Sequence, residues 1–170
     1  GLTSTGCAQA LESFSTHNIK LSVDEEFIIV SSPFLRAKQT AFQIEKYLFD
    51  KAQFELHPIR LSEYSERYLG DLSEKKVCEK TQNPLIKEAL RLNDKYMPEA
   101  TIFYIEPWSN VLDRVATGYL RLEKEYEGKT IVICSHLLTA KASIALFDDF
   151  STDKFKPMCG GTSFRLPFFE

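Results

Sequence analysis

Apolar positions along the chain follow two different periods. Phe27-Ile28-Ile29-Val30 is an unbroken apolar run, the pattern of a strand covered on both faces. Thr130-Ile131-Val132-Ile133-Cys134 is a second run of this kind. Around them the spacing becomes helical. Thr3 or Ser4 can cap a helix that aligns Ala8, Leu11 and Phe14 on one face. Ala37, Ala41, Ile44 and Leu48 form one stripe of a longer helix. Ser109 can cap a helix over 111–126 with Leu112, Val115 and Leu122 facing inward, and another helix is predicted over 139–147. Pro84 suits the first turn of a helix carrying Leu85, Ala89 and Leu92. Phe54 and Leu56 predict a short strand. Gly160-Gly161 opens a last strand over 162–168, placed at an edge by Pro167. Residues 61–80 are polar and irregular, and predict a long functional loop with some helix.

Strands alternating with helices predict an α/β fold: a three-layer sandwich, its central sheet mostly parallel and flanked by helices on both faces. At 170 residues, without repeat or linker, the chain is expected to form a single domain, 1–170. Composition narrows the function. The net charge of −3 gives no overall field for nucleic acid or an anionic membrane, so neither is expected as a partner. An anion site would have to be a local basic pocket. No run of about 20 apolar residues and no secretory signal is present, so a cytoplasmic location is expected. Cys7, Cys78, Cys134 and Cys159 have neither CxxC nor zinc spacing and are read as free thiols. No metal site and no cofactor is expected.

Three segments can carry chemistry, each following a predicted strand. In open α/β sheets ligands bind beyond the carboxyl ends of the strands. In Ser31-Ser32-Pro33-Phe34-Leu35-Arg36-Ala37-Lys38-Gln39-Thr40-Ala41, Arg36 falls in the first turn of a helix, where amides and dipole favour an anion. A guanidinium there can fork onto phosphate oxygens. Position alone equally allows a surface arginine on an amphipathic helix. His136, directly after the second buried strand, could donate to a phosphoryl oxygen. Alone, it reads equally as a capping or core-edge histidine. In Ser65-Glu66-Arg67-Tyr68-Leu69-Gly70, Glu66 could protonate a leaving oxygen, with Glu63 as the competing carboxylate.

Together these segments resemble histidine phosphatases of the phosphoglycerate mutase type. Leu2-Thr3-Ser4-Thr5-Gly6-Cys7-Ala8-Gln9-Ala10 is similar to the family's LTxxGxxQA, and the segment from Ser32 to Ala41 to its SPxxRAxQTA. Glu66-Arg67-Tyr68-Leu69-Gly70 is similar to ERxxG. Ser109, Asp113, Arg114 and Val115 match a helix before the penultimate strand, and Ser135-His136 its Ser-His. Cys159 to Ser163 stands where the family has a short small-residue segment. The resemblance implies phosphoryl transfer through phosphohistidine on a phosphorylated small molecule or phosphoprotein. It makes Arg36 the second phosphate arginine, His136 the second histidine and Glu66 the acid. Arg67 would line the substrate side. Leu137 stands beside the phosphate, where many members have Gly, and Trp108-Ser109-Asn110 replaces the usual Gly-Glu-Ser. The short stretch between Gly70 and Ser109 favours phosphatase over mutase.

The family's nucleophile belongs to an RHG motif that precedes LTxxG, and His17, His57 and His136 all follow that point. The RHG strand lies inside the family's sheet, and each buried backbone group left unpaired costs about 1–3 kcal/mol. The resemblance therefore predicts an RHG segment upstream of Gly1. Two other readings stand beside the phosphatase. One is a catalytically inactive domain that holds a phosphorylated ligand through Arg36 and His136. The other is an unrelated doubly wound module with no phosphate affinity in that crevice. The sequence fixes no oligomeric state.

Overall fold

The computed structural model describes residues 1–15, 26–53, 56–70 and 105–147, together with Pro84. The element order is α1 (Ser4–Ser15), β1 (Phe27–Ser31), α2 (Leu35–Ala52), β2 (Ile59–Arg60), a 3₁₀ turn (Ser62–Tyr64), α3 (Trp108–Glu125), β3 (Thr130–Cys134) and α4 (Leu137–Phe147). The described strands form a parallel sheet in the order β2-β1-β3. Register runs from Phe27↔Thr130 to Ser31↔Cys134 on one side of β1, with Val30↔Ile59 on the other.

Side chains of β1 alternate between two cores, as a doubly covered strand requires. Val30 and Ile28 pack with Leu61, Tyr64, Val111, Val115, Leu122 and Ala142, which places the 3₁₀ turn, α3 and α4 on one face. Ile29 packs with Phe14, Ala41, Ile44 and Leu48, which places α1 and α2 on the other. The β3 side chains divide likewise: Ile131 and Ile133 join the first core, Val132 and Cys134 the second. This is the expected sandwich, a parallel sheet with helices on both faces.

Several boundaries differ from the sequence expectation. Leu56 forms no strand; the pairing segment is Ile59–Arg60. The α2 helix runs on to Ala52 and ends through Gln53 in the left-handed region (φ 58°), so the chain reaches the sheet later. In α1, Ala8 is exposed, and Phe14 is buried with Cys7, Ala10 and Leu11 half-buried beside it. Pro107, not Ser109, occupies the N-cap of α3, and the Ser109 hydroxyl is buried without a partner. The α4 helix begins at Leu137, two residues before the expected start. Cys7 and Cys134 are free thiols. The expected strand over 162–168, the Cys159–Ser163 segment, Phe54, Cys78 and Cys159 lie outside the described residues. So do His17, loop residues 71–80 and the helix after Pro84.

Candidate active site at the carboxyl ends of β1 and β3

The site forms where the two central strands end together. Ser32 N–H bonds the Cys134 carbonyl at 2.9 Å, so the residues leaving β1 and β3 remain side by side. From β1 the chain turns through Pro33 and Phe34 into α2, which places Arg36 in that helix's first turn. From β3 it passes through Ser135 to His136, whose carbonyl accepts the first α4 bond from Ala140 N–H at 2.7 Å.

Arg36 and His136, a hundred positions apart, meet directly. Arg36 Nε donates to His136 Nδ1 at 3.0 Å, and His136 Nε2 lies 2.7 Å from Ser32 Oγ. A nitrogen that accepts from a guanidinium carries no proton, which leaves the Nε2–H tautomer to donate to Ser32. Burial first, and then the nearby Arg36 and Arg114 charges, lower the His136 pKa to about 4. The imidazole is neutral near pH 7 and has both nitrogens engaged. Phe34 packs edge-on to it, with ring centroids 5.3 Å apart. The Arg36 side chain is 54% exposed, so its guanidinium keeps a face open to solvent.

Glu66 completes the cluster. Its Oε2 lies 3.7 Å from Arg36 Nη2 and 3.9 Å from His136 Nδ1. Burial raises its pKa above the ordinary carboxylate range, against the opposing pull of the Arg67 and Leu138 amides and of Arg36 and Arg114. The competing Glu63 does not join it: its carboxylate takes the Ser62 hydroxyl at 3.0 Å and lies 3.6 Å from Arg121. Leu137, 42% exposed, follows His136 as the first residue of α4. Arg67, expected to line the substrate side, is buried. It is 3% exposed, donates from Nε to the Glu106 carbonyl at 2.8 Å, and lies over the Trp108 ring. Among the described residues no group of three His, Cys, Asp or Glu side chains is placed to hold a metal ion.

The loop carrying Glu66 is fastened by residues that spacing alone did not reveal. Ser135 Oγ donates to the Tyr64 carbonyl at 2.8 Å, and Thr139 Oγ1 to the Ser65 carbonyl at 2.6 Å. On the other side Arg114 Nη1 donates to the Glu63 carbonyl at 2.6 Å. Arg114 also forks onto the Glu106 carboxylate, at 2.8 and 3.2 Å. Glu106 Oε2 in turn accepts the Tyr68 amide at 3.0 Å. Of these, Ser135 and Arg114 fall within matched motifs; Glu106 and Thr139 carry no sequence signal.

The family model described as the histidine phosphatase superfamily, branch 1, matches residues 1–163. The chain belongs to the histidine phosphatase superfamily. Among solved structures, YhfR of Bacillus stearothermophilus aligns with a TM-score of 0.69 at 22% identity, over 94% of this chain and 75% of its own. Mycobacterial glucosyl-3-phosphoglycerate phosphatase aligns with a TM-score of 0.63 at 20% identity, over 94% and 73%. The alpha-ribazole phosphatase of Shigella flexneri aligns with a TM-score of 0.60 at 19% identity, over 86% and 67%. At these identities the likeness is one of fold. No curated protein sequence matches significantly. No helix among the described residues is long and apolar enough to cross a membrane.

Proposed function

We propose that this member of the superfamily is a phosphatase, hydrolysing a phosphomonoester of a small molecule or a protein through a phosphohistidine intermediate. The observation that carries the reading is the convergence of Arg36, His136 and Glu66 at the ends of two parallel strands. Arg36 and the first-turn amides of α4 offer charge-assisted donors to phosphoryl oxygens. When an anion draws Arg36 off Nδ1, that nitrogen becomes free to bind a proton, and His136⁺ then donates to the phosphate. Glu66, held above the ordinary carboxylate range, is the proton donor. A histidine nitrogen attacks phosphorus, the ester P–O bond breaks, and Glu66 protonates the departing oxygen. Water then attacks the phosphohistidine, Glu66 takes its proton, and phosphate leaves.

The attacking imidazole in this scheme is neither described histidine. His136 has both nitrogens engaged, and His57 is 97% exposed beside Glu45. A second reading is a phosphate-binding domain without turnover, in which Arg36 and His136 hold a phosphorylated ligand. Acid-labile labelling and hydrolysis of p-nitrophenyl phosphate separate the two: both present support the phosphatase, and neither, with phosphate still bound, supports the binder. For the phosphatase, Glu66→Gln slows hydrolysis of an alkyl phosphate by about 10²–10⁴-fold. Hydrolysis of the nitrophenyl ester, whose leaving group needs little protonation, falls much less. Arg36→Ala removes a charge-assisted bond worth about 1.5–3 kcal/mol and weakens orthophosphate binding accordingly. A folded Arg36→Ala variant with unaltered phosphate affinity removes Arg36 from the site.

A further inference from the structure

We propose that Arg114, through its grip on Glu106, is the positioning residue for the Glu66 carboxyl. The inference rests on the role of Glu66 given above. Glu66 lies in an irregular segment between the Ser62–Tyr64 turn and the end of the loop, where no helix or strand fixes it. A general acid must be held near the productive geometry, because a misplacement of about 1 Å can cost about a hundredfold in rate. Something outside the loop has to supply that constraint.

Arg114 is placed to supply it. It projects from α3, whose inner face is locked into the core by Val111, Val115 and Leu122. All three of its guanidinium nitrogens are used on targets flanking Glu66. Nη1 takes the carbonyl of Glu63, on the amino side. Nε and Nη2 fork onto Glu106, whose Oε2 takes the amide of Tyr68, on the carboxyl side. The backbone repeats the second link: Glu106 N–H donates to the Tyr68 carbonyl at 2.8 Å, and Arg67 Nε to the Glu106 carbonyl. The clamp thus holds both ends of the segment 63–68 at once. Side-chain exposure of 21% and 17% for the ion pair removes much of the water that would otherwise compete for it. A lysine could keep the charge but not the fork together with the third bond.

The test separates position from charge. Carboxyl ¹³C NMR of the glutamate-labelled protein follows Glu66 in the unsubstituted chain and in Arg114→Met, Arg114→Lys and Glu106→Gln. Loss of the Arg114 charge alone would push the Glu66 pKa further up. Loss of position lets water reach the carboxyl and lowers it. The expected result is a fall to the ordinary carboxylate range in Arg114→Met and a smaller fall in the two milder variants. A midpoint that rises or stays in place in any folded variant overturns the proposal, and the milder pair keeps the test open if Arg114→Met does not fold. In the enzyme, Arg114→Lys should lose at least about tenfold more kcat on an alkyl phosphate than on p-nitrophenyl phosphate. Equal losses on both esters argue against the role. Orthophosphate titration of the unsubstituted protein tests the phosphatase reading separately: if it does not bind, that reading fails, while the Glu66 titration still decides the clamp.

Discussion

His136 is the residue whose chemistry depends most on its surroundings. An unfolded histidine takes up a proton near pH 6.5, whereas burial and two guanidinium groups hold the native one at about 4. Between those values the unfolded chain binds more protons, so stability rises with pH across the window. The contribution is complete above pH 6.5 and disappears as the pH falls through 4. The full difference corresponds to about 3 kcal/mol, reduced by the water that reaches Arg36. Glu66 acts with the opposite sign in the carboxylate range, because its raised pKa lets the native state hold its proton longer. Comparison with His136→Gln isolates the imidazole. Urea unfolding at pH 7.5 and 4.5 should show a loss of stability on acidification that is larger by about 1–3 kcal/mol in the unsubstituted protein. Equal losses would mean that the native imidazole is not held neutral. The identity of His136 was legible from its place after an apolar run. Its neutral tautomer was not, because that depends on an arginine a hundred positions away donating to Nδ1.

The α3 helix packs against the acid loop so closely that a single hydrogen decides the fit. A Cβ at Gly118 would approach both Glu63 Cβ and Tyr64 Cζ to 3.0 Å. Neither neighbour can retreat. Tyr64 is fully buried and packed edge-on to Tyr119, and the Glu63 carbonyl is held by Arg114. Alanine normally improves a helix interior over glycine by about 1 kcal/mol, but overpacking a rigid contact costs about 1–3 kcal/mol. Gly118→Ala should therefore leave the protein less stable by up to about 2 kcal/mol in urea denaturation and displace the loop that carries Glu66. A gain in stability would show that the turn can yield. The apolar stripes of α2 and α3 announced those helices because burial follows the helical period, as at Ala41, Ile44, Val115 and Leu122. Nothing comparable announces β2, whose two residues gain strand geometry only by pairing with Val30 and Ser31. Gly118 and Glu106 escape the pattern for the same reason: their significance lies in what packs opposite them.

At the scale of the molecule, the site joins three distant stretches of chain, through Arg36, Glu66 and His136, with each face of the sheet contributing one support. The family motifs made this convergence readable, because SPxxRAxQTA and Ser-His both mark strand ends and the parallel register brings Ser31 opposite Cys134. An anion bound there contacts groups that separate on unfolding, so it stabilises the whole fold by mass action. At orthophosphate about 100-fold above its Kd the gain is about 2.7 kcal/mol. For a chain of this length, that corresponds to a rise in Tm of about 5–10 °C. The rise should grow as the pH falls from 7 toward 5.5, provided the comparison is made at equal concentrations of the same phosphate ionic form. Binding draws Arg36 away from Nδ1, His136 becomes easier to protonate, and the ligand is therefore favoured by proton uptake. Arg36→Ala should abolish most of the shift at every pH. Sulfate, which does not titrate in this range, provides the cleaner measurement. A sulfate-induced Tm shift that is the same at pH 7 and 5.5 would show that the imidazole remains neutral under the anion, and that Arg36 binds it without releasing His136.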